Sequence, residues 1–122
     1  MFTDGWSARV GFDGHSNGIV YAYLPGSVKW GTTLGTFRLA LGSWVSVVEE
    51  VKLNTVGNAD GYVKVWVDGE LKVDRQGLVF RMTDSLKIDG IYFDTFYGGQ
   101  TAVFAAPQDT TIDFAEIAVH AQ

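Results

Sequence analysis

The chain has 122 residues, the length of a single domain. At 47% hydrophobic and 14% aromatic it carries ample material for a core, which excludes a disordered polymer. A net charge of −5 disfavours wholesale attraction to nucleic acid or anionic membranes, so an anionic ligand needs a local basic patch. The absence of cysteine excludes a disulfide framework, a thiol nucleophile and a thiolate metal site. No apolar run approaches the ~20 residues that span a bilayer. Met1 to Trp6 has neither the basic nor the hydrophobic region of a secretory signal.

Short β-branched and aromatic runs, punctuated by fifteen glycines and only two prolines, predict an all-β chain. The first two strands are expected over Trp6–Phe12 and Ile19–Leu24, joined by a glycine-rich turn containing Asp13 and Asn17. Alternation puts Trp6, Ala8, Val10 and Phe12 on one face of the first strand, and Ser7 and Arg9 on the other. In the second strand Tyr21 and Tyr23 share a face, opposite to Val20, Ala22 and Leu24. A hairpin whose paired positions sum to 30 sets Arg9 opposite Tyr21 and Ser7 opposite Tyr23, about 4.5–5.5 Å apart at Cβ. One polar face then carries a guanidinium, two phenols and a hydroxyl.

Further strands are predicted over Phe37–Leu41, Trp44–Leu53, Tyr62–Val67, Glu70–Val73, Leu78–Arg81, Ile88–Phe96 and Thr111–His120. The alternation shifts phase at Val47-Val48, which suggests a bulge there. The strongest hairpin signal is Tyr62 to Val73, where Asp68-Gly69 suits a two-residue type I′ turn needing positive φ at both positions. Val63, Val65 and Val67 line one face of that hairpin, and Tyr62, Lys64 and Trp66 the other. The pattern predicts a single antiparallel β-sandwich domain over 1–122.

The chemistry-bearing residues each have an ordinary reading beside the functional one. Arg9 offers a planar fork for a carboxylate, and tyrosine can serve as general acid or base. Those groups suit β-elimination from a uronic acid: a cation neutralises the carboxylate, a base takes the proton α to it, and an acid protonates the departing glycosidic oxygen. Arg and Tyr also pack across exposed sheet faces with no such role. Lys29 and Trp30 lie in the loop after the two-tyrosine strand, where Trp30 serves either as a sugar platform or as a plug at the core edge. In Ile91 to Gly99, Ile91 and Phe93 read as core while Tyr92 and Asp94 face the other way, and the two glycines allow a tight turn or close ligand approach; a strand ending in a Gly-Gly turn explains the same residues. His15 in the first turn and His120 near the end do not converge on a metal site. Asp13, Asp60, Asp68, Asp109 and Asp113 could supply oxygens to a structural Ca²⁺, although no twelve-residue calcium loop is present; no cofactor is required by this reading.

Several segments together resemble a known family. Ser7-x-Arg9 followed by Val20-Tyr21-Ala22-Tyr23-Leu24-Pro25 is similar to a block of the alginate and glucuronan lyases of polysaccharide lyase families 14 and 20. Val51 to Thr55, Gly61 to Gly69 and Thr95 to Gly99 follow in the family's order and spacing. The resemblance runs from about Trp6 to Val119 and implies a concanavalin-like β-jelly roll whose concave groove holds the substrate. It implies that Tyr21, Tyr23 and Arg9 take the catalytic positions and that Ser7 helps bind the uronate. Lys29, Lys64, Trp66 and Tyr92 are the further substrate-binding candidates.

Family members carry further strands before the Ser-x-Arg block and, in family 14, a cleft lysine among them; no lysine occurs in Met1–Trp6. The chain is therefore expected to match the C-terminal portion of a lyase domain, with Lys29 or Lys64 as the candidate substitute for that cation. Its open sheet edges are expected to be covered by a second copy or a partner chain. The resemblance also implies secretion. Beside a lyase acting on an acidic polysaccharide stand a non-catalytic, lectin-like β-sandwich and an oligomer-forming structural fragment.

Overall fold

A computed structural model describes residues 5–27 and 29–121; Met1–Asp4, Val28 and Gln122 lie outside the described residues. The chain divides into two compact units, Met1–Ile88 and Asp89–Gln122. The first is an all-β, antiparallel sandwich of jelly-roll type. It has two three-stranded sheets, ordered β1-β2-β3 and β4-β5-β6. The strands are β1 (Ser7–Phe12), β2 (Asn17–Tyr23), β3 (Thr32–Arg38), β4 (Val47–Lys52), β5 (Gly61–Val67) and β6 (Glu70–Leu78).

The core forms where the inner faces meet. Val20, Ala22, Leu34 and Phe37 from the first sheet pack with Val63, Val65, Val67, Val73, Leu78 and Phe80 from the second half of the unit. Alternation along β2 and β5 decides this, because every second residue must leave the core face. Gly35 of β3 lies directly against Val73 of β6. A Cβ there would come within 2.7 Å of Val73 Cγ1, so the packing of β3 on β6 needs glycine.

The β1–β2 register is the predicted one, with Ser7 opposite Tyr23 and Arg9 opposite Tyr21. The turn between them is closed by Asp13. Its carboxylate accepts hydrogen bonds from the His15 and Asn17 backbone N–H groups and from the Asn17 amide, and the Asn17 side chain is the main cause holding Asp13 below its usual range. The Asp68-Gly69 turn has φ values of 50° and 80°, as its type I′ reading requires. Asp68 also accepts a hydrogen bond from the Ser46 backbone N–H and so ties the start of β4 to this turn.

Several boundaries differ from expectation. The third strand is Thr32–Arg38 rather than Phe37–Leu41. A bulge between Val20 and Tyr21 shifts the β2–β3 register and hides the alternation, while the Thr-Gly composition resembles a loop. The two runs Glu70–Val73 and Leu78–Arg81 are joined in one strand that ends at Leu78. Its polar middle survives because β6 is an edge strand with both faces largely solvated. No bulge occurs in β4, which pairs continuously from Val47–Val67 to Lys52–Tyr62; the shifts lie in β5–β6 instead.

The second unit contains no strand among its described residues, only a 3-10 turn at Ala102–Phe104. Ile88–Phe96 and Thr111–His120 are therefore not strands. Alternating side chains do not make a strand unless a neighbour takes up the backbone N–H and C=O groups, and here no neighbour is hydrogen-bonded to them. Within the unit the Phe93 and Phe114 rings meet edge to face at 4.7 Å.

Two buried polar groups stand out in the sandwich. Asn54 is fully buried, and its side chain bonds to five backbone groups spread over the 55–58 turn and residues 80–81. Glu49 projects inward from edge strand β4, opposite core residue Val65, and its Oε1 is buried without a hydrogen-bond partner. Burial pushes its carboxyl up to about 7 from an ordinary 4.5. The folded state therefore holds the proton that the unfolded chain releases. The stabilising contribution of the protonated form is complete below about pH 4.5 and is lost as pH rises through about 7. The loss amounts to about 3 kcal/mol. Glu49→Gln is expected to flatten this dependence, so urea midpoints of wild type and variant should converge near pH 4.5 and separate in the variant's favour at pH 8.

Candidate functional site

Ser7, Arg9, Tyr21 and Tyr23 all leave the face of the first sheet opposite to Val20 and Ala22, and so look away from the core. On that face Arg9 Nε donates to Ser7 Oγ at 3.3 Å, and its guanidinium carbon lies 4.9 Å from the centroid of the Tyr23 ring. Tyr21 meets Tyr23 edge to face at 5.5 Å with an interplanar angle of 90°. The cation, the hydroxyl and the two phenols thus form one continuous contact set, each held by its neighbour across or along the hairpin.

The loop after β2 brings in a second cation. It opens with a turn in which the Ser27 backbone N–H donates to the Leu24 carbonyl, while Ser27 Oγ accepts from the Leu24 N–H. It returns through Gly31, where a Cβ would lie 2.5 Å from the Ala22 carbonyl and 2.8 Å from the Tyr21 ring. Only glycine lets the chain pass so close to Tyr21. Between these points Lys29 places its ammonium 5.1 Å from the centroid of the Trp30 ring. Trp30 is 53% exposed, so it does not plug the core.

Gly5, Trp6, Ser7, Arg9, Tyr23 and Lys29 line one open hollow of about 410 Å³. Its described lining contains two cationic side chains and no carboxylate. In a chain of net charge −5 this is the local basic patch that an anionic ligand needs. Trp6, placed by the sequence on the strand face opposite to Ser7 and Arg9 and not among the site candidates, both packs edge to face on Phe80 at 5.0 Å and forms part of this wall. Its position directly before Ser7-x-Arg9 was the available signal.

The other candidates lie elsewhere. Lys64 and Trp66 project from the outer face of the second sheet, opposite to Val63, Val65 and Val67, and so on the other side of the sandwich from Arg9 and Tyr23. There Lys64 and Lys52 hold their ammonium groups 4.8 and 6.0 Å from the Tyr62 ring centroid, and Tyr62 donates its hydroxyl proton to Glu50. That bond to a carboxylate raises the Tyr62 phenol above its ordinary value. Tyr92 belongs to the second unit, is strongly exposed, and directs its hydroxyl at Asp94.

Asp60, one of the carboxylates considered for calcium, accepts from the Thr55 backbone N–H, and Asp13 and Asp68 are likewise occupied in turns. Among the described residues no group of three or more His, Cys, Asp or Glu side chains is placed to hold a metal ion.

The family model described as polysaccharide lyase 14 matches residues 2–117. No match was found among curated proteins or among solved structures. The matched stretch takes in the whole Ser-x-Arg and Tyr-x-Tyr hairpin and speaks for a polysaccharide as the ligand class. The chain belongs to the polysaccharide lyase 14 family.

Proposed function

We propose that the hollow binds a uronic-acid-containing polysaccharide such as alginate or glucuronan and cleaves it by β-elimination. The observation that carries this reading is the pairing of Arg9 with Tyr21 and of Ser7 with Tyr23 on a solvent-facing sheet, with the Arg9 guanidinium over the Tyr23 ring. The Arg9 fork takes the substrate carboxylate, which withdraws charge from the adjacent carbon and acidifies its proton. One phenol oxygen of the Tyr21–Tyr23 pair removes that proton. The electron pair left behind forms the carbon–carbon double bond as the bond to the glycosidic oxygen breaks, and the other phenol protonates the leaving oxygen. Ser7 holds the guanidinium in place through its hydrogen bond to Arg9. The two compact units act as one lyase-type domain, and the open edges of the two sheets are covered by a second copy or a partner chain.

The test is incubation with alginate and with glucuronan while following the absorbance of the unsaturated uronide. An increase with either polymer supports the enzyme. Binding without any increase moves the chain to the lectin-like reading, and neither binding nor product removes the uronate proposal. Light scattering tests the edge argument: a strict monomer argues against a second copy.

A further inference from the structure

We propose that Lys29 is a specificity-determining cation of the hollow. Its ammonium takes a second carboxylate of the bound chain, beside the one held by Arg9, so that the site selects polymers with neighbouring uronic acids. This rests on the uronate reading above but assigns a role that the Arg9–tyrosine hairpin does not contain.

Three observations lead to it. First, Arg9 and Lys29 reach the same hollow from different elements, one from β1 and the other from the loop beyond the end of β2. They are therefore separate anchor points rather than one fork. Second, neither has a carboxylate partner among the described residues. Among the described residues the ion pair found is Lys72 with Glu70, and the hollow's described lining is free of acidic side chains. Each cation rests instead on an aromatic ring, Arg9 on Tyr23 and Lys29 on Trp30. An exposed cation–π contact is weak beside a charge-assisted hydrogen bond to a carboxylate, so both cations can exchange ring for ligand.

Third, the two anchors differ in kind. The rigid guanidinium fork matches a single carboxylate with both of its oxygens engaged, and so is satisfied by one sugar. A lysine left beside it carries a compact charge on a flexible stem, suited to a carboxylate whose position varies with the linkage. Two like charges in one hollow also repel, and a ligand with two neighbouring anionic groups relieves that repulsion where a monoanion leaves half of it. When Lys29 moves to the ligand it uncovers the Trp30 face, an apolar platform for the sugar ring that bears the second carboxylate.

Titration calorimetry of the full chain with mannuronate and with tetramannuronate, over a range of salt concentrations, tests this. In wild type the tetramer should bind far more tightly than the monomer. Lys29→Gln should weaken the tetramer about tenfold and flatten its salt dependence, while leaving the monomer unchanged. Lys29→Arg should stay within about threefold of wild type, because the charge is kept. An unchanged melting temperature in Lys29→Gln confirms that the exposed loop residue is not structural. If Lys29→Gln binds the tetramer as wild type does, or loses monomer and tetramer equally, the second-carboxylate role is overturned. If wild type binds neither ligand, the uronate reading itself fails and this inference with it.

Discussion

Tyr21→Phe and Tyr23→Phe are each expected to lower the rate of unsaturated-uronide formation by about a hundredfold or more, with little change in polymer binding. The reason is that phenylalanine keeps the ring and removes only the hydroxyl. The edge-to-face contact at 5.5 Å and the Arg9 contact over the Tyr23 ring are ring contacts and survive the substitution. What is lost is the group that carries the proton in the proposed elimination, and a positioned acid or base contributes about 10²- to 10⁴-fold. Arg9→Ala behaves differently. It removes the proposed partner of the substrate carboxylate and the group lying over Tyr23, so KM is expected to rise together with a fall in kcat. Initial rates at several polymer concentrations separate the two patterns. Phenylalanine variants that keep wild-type rates would remove the phenols from the chemistry and leave them as a binding surface.

Asn54→Ala destabilises the sandwich by about 3–5 kcal/mol, the upper range for a single buried substitution. Asn54 Oδ1 accepts from the Phe80 and Arg81 backbone N–H groups at 2.8 and 3.1 Å, while Nδ2 donates to the carbonyls of Thr55, Asn58 and Arg81. Deleting the amide leaves enclosed backbone groups without their partner, beginning with the N–H of fully buried Phe80. The Asn54 backbone carbonyl also accepts from Arg81 Nε, and Arg81 in turn reaches the Leu86 carbonyl, so the damage spreads along the segment that closes the first unit. Asn54→Asp separates the two halves of the role. It keeps the acceptor for Phe80 and Arg81 but sets a carboxylate against three carbonyls, so it should be no more stable than the alanine variant at neutral pH. A fall in melting temperature of more than about 10 °C for both variants is the expected reading. An unchanged melting temperature for Asn54→Asp would show that the donor half of the amide contributes nothing.

The sequence by itself determined the features that depend on alternation and local turn chemistry. Side chains in a strand change face at every residue, so Tyr21 with Tyr23, and Val63 with Val65 and Val67, had to share faces wherever the strands were placed. Asp68-Gly69 tolerates positive φ, and the glycine-rich turn around Asp13 closes the first hairpin in the one register that pairs Arg9 with Tyr21. These preferences act over a few residues and need no knowledge of the rest of the chain.

The tertiary structure decided what depends on neighbours distant in sequence. Thr32–Thr36 became strand because β2 lay ready to pair with it, and Gly35 is required there only because Val73 arrives from the other sheet. Ile88–Phe96 and Thr111–His120 alternate as well as many strands do, yet they stay unpaired because a ladder needs a partner's backbone. Lys29 and Lys64 were equal candidates in the sequence. Packing separated them, because the inner faces of both sheets met in the core and left one lysine beside Arg9 and the other on the far side of the sandwich. Asn54 and Glu49 carried no local sign of their burial, since whether a polar side chain is enclosed is settled by the surfaces that close over it and not by its neighbours along the chain.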